Sequence, residues 1–161
     1  MRTVICHSPE ATQSLAAWIG KLATPGTVLL LEGDLGGGKT TFTQGLGRGL
    51  GIRDRIVSPT FALIQEYEEG RIPLFHCDLY RLDSAETYDL ELDEYCAGDG
   101  ITVIEWPDRL LERPPEWLQL TFEVVDDDVR SLSAIARGKT HQQLWEKAIT
   151  SWETCDEIDA Q

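Results

Sequence analysis

The chain contains no asparagine. Guanine-specific nucleotide switches read their base with an N-K-x-D motif, so guanine recognition of that type is excluded. Basic residues are scarce: 14 Lys and Arg stand against 28 Asp and Glu, giving a formal charge of −14. Binding to a phosphate backbone needs clustered cations, so this surface is not built to hold nucleic acid by itself. The four cysteines, Cys6, Cys77, Cys96 and Cys155, form no C-x-x-C pair. That leaves no zinc or thioredoxin-type motif, only buried or idle thiols in a reducing compartment. No basic leader with an apolar core opens the chain, and no apolar run approaches the ~18 residues of a membrane span. A soluble, cytoplasmic protein that does not enter a membrane is expected.

At 161 residues and 42% hydrophobic content, the chain has the size of one domain with a single core. Its organising stretch is Gly33 to Thr41, GDLGGGKTT, which follows the apolar run Val28 to Leu31. The spacing fits the phosphate-loop pattern G-x-x-x-x-G-K-[ST], with a strand before it and a helix-compatible run carrying Phe42, Leu46 and Leu50 after it. Glycines let the backbone turn its N–H groups toward one anion, and the helix N-terminus adds the positive end of its dipole. The loop Gly33, Asp34, Leu35, Gly36, Gly37, Gly38, Lys39, Thr40 and Thr41 is therefore the candidate nucleotide cradle. Lys39 would reach the β and γ phosphates, and the Thr40 hydroxyl would sit on Mg²⁺. With guanine reading unsupported, ATP is the expected nucleotide.

Along the rest of the chain, Thr3 to His7 is β-prone, and Ser8-Pro9 reads as an N-cap followed by a first-turn proline. A helix from Pro9 to about Ala23 is expected, with Leu15, Trp18, Ile19 and Leu22 on one face. Val28 to Leu31 lacks alternation, as a strand covered on both faces does. Gly45, Gly47 and Gly49 weaken the following helix intrinsically; close approach to the sheet and simple tolerance both account for them. Ala62–Tyr67 with Ile72–Cys77, and Leu118–Val125 with Val129–Ala136, read as hairpins, and Pro73 pushes its strand to an edge or a ladder gap. Asp83 to Glu94 fits one or two short helices, and its acids read first as a solvated face. Ile101 to Ile104 is another buried strand. Thr140 with Gln143 reads as a capping box for a last helix through Trp152, followed by a frayed acidic end from Glu153.

Magnesium at a phosphate loop takes one or two carboxylates from neighbouring strand tips. Glu105 ends the strand Ile101–Ile104 and is assigned the metal- and water-positioning role; Asp78, at the end of Leu74–Cys77, is a second candidate against a structural pairing with Arg81 or a turn cap. Thr60 stands where a γ-phosphate sensor belongs, and spacing alone equally permits a turn hydroxyl. His76 reads as a packed or hydrogen-bonded histidine rather than a ligand, and Trp106 as either a nucleotide neighbour or a core edge.

Four segments in this order, GDLGGGKTT, SPTF at Ser58–Phe61, HCDLYRL at His76–Leu82 and IEWPD at Ile104–Asp108, resemble the TsaE (YjeE) family. The resemblance runs from near the N-terminus to about Gly138. It implies an α/β P-loop fold, with a mostly parallel sheet, antiparallel hairpin additions and flanking helices. It further implies an ATPase needed to form the threonylcarbamoyl group on adenosine 37 of tRNAs reading codons that begin with A. Such a protein binds the TsaD–TsaB heterodimer, meets tRNA only through those partners, and uses ATP hydrolysis to reset the complex between turnovers. By motif, Lys39 and Thr40 match the phosphate and Mg²⁺ residues, Thr60 the SPT threonine, Asp78 the HxDLYR aspartate and Glu105 the IEW glutamate. Gly37 stands where alanine is common, and Asp108 where glutamate is. The chain then divides into a P-loop ATPase domain over 1–138 and a C-terminal helix with an acidic tail over 139–161. A small-molecule kinase, or a nucleotide-gated interaction module without productive catalysis, would use the same loop.

Overall fold

The computed structural model describes residues 2–59 and 63–159. A seven-stranded sheet runs in the order β1 (Val4–Cys6), β7 (Arg130–Arg137), β6 (Trp117–Val124), β2 (Val28–Glu32), β5 (Ile101–Glu105), β4 (Leu74–Asp78), β3 (Ile64–Tyr67). The central strands β6, β2, β5 and β4 are parallel, and β3, β7 and β1 add antiparallel edges. Helices α1 (Pro9–Leu22), α2 (Lys39–Leu50) and α5 (Lys139–Asp159) supply the core on one face. The short α3 (Ser84–Tyr88) and α4 (Leu92–Cys96) lie over the other, where Leu82 and Leu92 pack with Leu30 and Ile104.

β2 shows why its sequence does not alternate. Leu29 and Leu31 enter the α1/α2/α5 core, while Val28 and Leu30 enter the second cluster, so all four of these side chains are removed from water. Each such burial is worth roughly 1.5–3 kcal/mol relative to exposure. Register then lines up the strand ends that matter: Leu31 pairs with Glu105, and Glu105 with Asp78.

α1 begins as its sequence dictates, with Ala11 N–H donating to Ser8 Oγ at 3.0 Å and Pro9 in the first turn. Its stripe differs in part from expectation: Leu15 and Ile19 are fully buried, whereas Leu22 is largely exposed and Thr12, Ala16 and Gly20 complete the buried face. Gly45 and Gly49 of α2 do serve close approach, but to α1 rather than to the sheet, whereas Gly47 makes room for the Ile56 side chain. A Cβ on Gly49 would lie 2.1 Å from Ala17 O, and one on Gly45 2.3 Å from Gln13 O. The two helices therefore touch backbone to backbone.

Three further expectations are corrected. β4 is not an edge strand, since β3 lies outside it; Pro73 sits just before β4, where its carbonyl accepts from Ile101 N–H at 2.8 Å. α5 starts at Lys139, with Gly138 at φ 103° before it, so Thr140 lies inside the first turn and is not its N-cap. The same helix continues to Asp159 and is not frayed from Glu153. Leu144, Trp145, Ala148, Ile149 and Trp152 bury against the common core, and His141 Nε2 accepts the N–H of Val28 at 3.0 Å.

Candidate active site

β2 ends at Glu32, the chain turns through Gly33–Gly38, and α2 starts at Lys39. Gly38, at φ 106°, occupies the N-cap in a left-handed conformation that carries no side-chain cap, and the first turn of α2 holds no acid. The positive end of the helix is thus left for an outside anion. Gly33 is fixed by a different constraint: a Cβ there would meet Phe122 O at 2.9 Å, so β6 and the loop pack closely. Asp34, Leu35 and Gly36 lie on the exposed outer side of the loop, Gly37 is buried, and Thr40 and Thr41 are half-buried in the first helical turn.

Lys39 is only 5% exposed. Its Nζ donates to Gly33 O at 2.7 Å and lies 4.0 Å from the Trp106 ring centroid. Burial pushes its pKa down, and the negative charges of Glu105, Asp78, Asp34 and Asp108 oppose that push. A buried ammonium facing several carboxylates, with its stem fixed by a carbonyl and an indole, is a cation held ready for a polyanion.

The two strand-tip acids adjoin as a register pair. Glu105 is 3% exposed, and its Oε2 accepts from His76 Nε2 at 2.7 Å; among the described residues its Oε1 has no hydrogen bond. His76 is itself fully buried, and its Nε2 bond fits the reading of a packed, hydrogen-bonded histidine; among the described residues its Nδ1 has no partner. Asp78 Oδ1 accepts the Tyr80 N–H at 2.9 Å, capping a turn, and Oδ2 accepts from Ser58 Oγ at 3.2 Å. The carboxylate thereby ties the Ser58-Pro59 loop to the tip of β4. Thr60, assigned from the same loop, lies outside the described residues. Trp106 takes φ 60°, a left-handed conformation unusual for a bulky side chain, and this turn after β5 stacks its indole against Lys39 and Tyr80. Of the two alternatives for Trp106, the core edge is observed, since it packs against the second cluster, and its ring also lies over the lysine.

One site residue was missed by sequence reasoning. Arg130 Nε donates to Gly37 O at 3.1 Å, and its Nη1 donates to the carbonyls of Asp126 and Asp127 at 2.9 Å each. It straps the β6–β7 turn onto the phosphate loop. No motif marks it, because its partner in the phosphate loop is a backbone carbonyl 93 residues earlier in the chain.

The donor set suits a hard cation: a threonine hydroxyl and two carboxylates, with the one nearby imidazole already committed to Glu105. Among the described residues no group of three or more His, Cys, Asp or Glu side chains is arranged to hold a metal ion. Magnesium would accordingly depend on water and phosphate oxygens as well, which is its usual habit.

A mostly parallel sheet with a glycine loop leading from its central strand into a buried lysine defines an α/β protein of the P-loop class. Residues 6–132 match the family described as "Threonylcarbamoyl adenosine biosynthesis protein TsaE". A TsaE protein of Bacillus subtilis (strain 168) is 45% identical over 141 residues, covering 87% of this chain and 89% of the relative. One from Nostoc sp. is 46% identical over 134 residues, covering 81% and 83%. The crystal structure of Bacillus subtilis YdiB superposes with a TM-score of 0.79 at 38% identity, covering 93% of this chain and 95% of that one. The chain belongs to the TsaE family, and its role lies in tRNA threonylcarbamoyladenosine biosynthesis. No helix among the described residues is long and apolar enough to cross a membrane.

Proposed function

We propose that this chain is a magnesium-dependent ATP hydrolase acting in the cytoplasm on a TsaD–TsaB complex, permitting repeated formation of the threonylcarbamoyl group on N6 of tRNA adenosine 37. The observation that carries the reading is the buried Lys39 ammonium, held between the glycine loop and the paired tips Glu105 and Asp78. Lys39 meets the β and γ phosphates and exchanges its bond to Gly33 O for phosphate oxygens, while the loop N–H groups and the start of α2 orient the chain of phosphates. Thr40, Glu105 and Asp78 would hold Mg²⁺, which would supply charge neutralisation at the phosphate oxygens. Glu105, oriented by His76, holds the attacking water in line. Asp78, through Ser58, links the phosphate end to the loop that carries Thr60, the candidate γ-phosphate sensor. Trp106 keeps bulk water from the lysine, which strengthens every charge interaction there.

The acidic surface supports an indirect relation to tRNA, whose phosphates the partners would hold. The test is phosphate release from ATP by the protein alone and with TsaD and TsaB, alongside threonylcarbamoyladenosine formed over several turnovers. Stimulated hydrolysis accompanying repeated modification supports the reading. Hydrolysis indifferent to the partners, with no effect on modification, refutes it, as does full turnover by Lys39→Ala.

A further inference from the structure

On the sheet face away from α1, α2 and α5, the short helices α3 and α4 and the segment 110–114 enclose two adjoining recesses of about 380 and 640 Å³ that share Asp93, Glu112 and Pro114. Their walls combine apolar and acidic groups without a free cation: Tyr88 is 69% exposed and Leu111 62%, and Glu91, Asp93 and Glu112 stand among them. The single arginine on the lining, Arg113, is turned to Gln119 Oε1 at 2.6 Å and to the Trp117 ring. Thr87 also lines the first recess. It is 3% exposed, and among the described residues its hydroxyl has no hydrogen-bond partner. A buried hydroxyl left unpaired is costly, so its presence here points to a donor or acceptor brought from outside.

We propose that this groove docks a basic, apolar-anchored peptide segment of a protein partner. Leucine-like side chains of the segment would cover Tyr88 and Leu111, its lysines or arginines would face the three carboxylates, and its backbone would meet the Thr87 hydroxyl. The chain's overall negative charge favours the approach of such a segment and opposes a nucleic acid in the same place. Ile104 lies in the same recess, next in sequence to Glu105, so an occupant would rest against the strand that carries the proposed catalytic carboxylate. The inference rests on the reading that the protein works docked on others, but it is tested without nucleotide and so fails separately from it.

The experiment titrates the whole protein against a short fluorescein-labelled peptide of alternating lysine and leucine, read by anisotropy, with a glutamate–leucine peptide as control. The lysine peptide binds and the glutamate peptide does not. Glu91→Lys with Glu112→Lys weakens binding by about tenfold or more, while the same charge change at Asp127 and Asp128, far from the groove, costs about twofold or less. Leu111→Asp, at a position exposed enough to leave folding intact, abolishes binding, and Thr87→Val weakens it. Equal losses for the two charge reversals would mean unspecific attraction of a cation to an acidic protein and would overturn the proposal. So would a dimer in sedimentation that Leu111→Asp dissolves, because the groove would then be filled by a second copy of this chain. Phosphate release from ATP is measured on every variant; loss of peptide binding with unchanged release places the groove outside the hydrolytic site.

Discussion

His76 donates from Nε2 to Glu105 Oε2 at 2.7 Å, with both side chains buried at adjacent strands of the sheet. This bond fixes one oxygen of the carboxylate and leaves the other without a hydrogen bond among the described residues. Glu105→Ala is expected to retain substantial nucleotide binding and to lose magnesium-dependent turnover. His76→Ala keeps the carboxylate but frees its orientation, lowering kcat by about 10–100-fold with little change in KM for ATP. Steady-state phosphate release over a range of ATP concentrations separates the two terms; a pure KM effect in either variant removes the pair from the chemical step.

Arg130 supports the loop through its backbone carbonyls. Arg130→Ala takes its donor from Gly37 O, and a loop no longer strapped to the β6–β7 turn should bind nucleotide about tenfold more weakly. Arg130→Lys restores the charge but not the fork, so it recovers little. Fluorescent-nucleotide titration reads both variants, and full recovery by lysine would show that charge alone had mattered.

His141 accepts from Val28 N–H through Nε2, which requires that nitrogen to be unprotonated. Burial lowers its pKa, and Glu116 pulls the other way. A depressed base contributes stability that is complete above the unfolded value of about 6.5 and is lost as pH falls through the folded pKa. Urea midpoints measured between about pH 7.5 and 5 should therefore fall for the unaltered protein relative to His141→Gln, whose glutamine does not titrate. Parallel curves for the two proteins would show that His141 does not govern the slope.

Gly49→Ala tests the backbone contact of α1 and α2. Intrinsic helix propensity favours alanine by up to about 1 kcal/mol, but its Cβ would lie 2.1 Å from Ala17 O. The helices must part, and the expected outcome is a net loss of about 1–3 kcal/mol in chemical denaturation. A stabilised variant would show that the pair separates freely.

The contiguous signals were legible because a single stretch carries both residue types and spacing. The phosphate loop, the Ser8 cap, the apolar β2 and both hairpins follow from neighbours in sequence. Asp78 and Glu105 were legible as strand tips, and their adjacency followed once β4 and β5 paired in parallel. What stayed hidden depends on partners far along the chain: Arg130 on Gly37, His141 on Val28, and Gly45 and Gly49 of α2 on the backbone of α1. The start of α5 differs from expectation because Thr140 resembles a cap, whereas Gly138, at φ 103°, already turns the chain two residues earlier.

The strand that launches the phosphate loop has as its neighbours β5 and β6, both made after more than seventy further residues, and the loop is strapped only when Arg130 arrives. During synthesis, then, the glycine loop emerges from the ribosome early but cannot be held in shape until most of the protein has followed. A nascent fragment ending before β6 therefore carries the whole glycine motif without the strand and the arginine that hold the loop in shape.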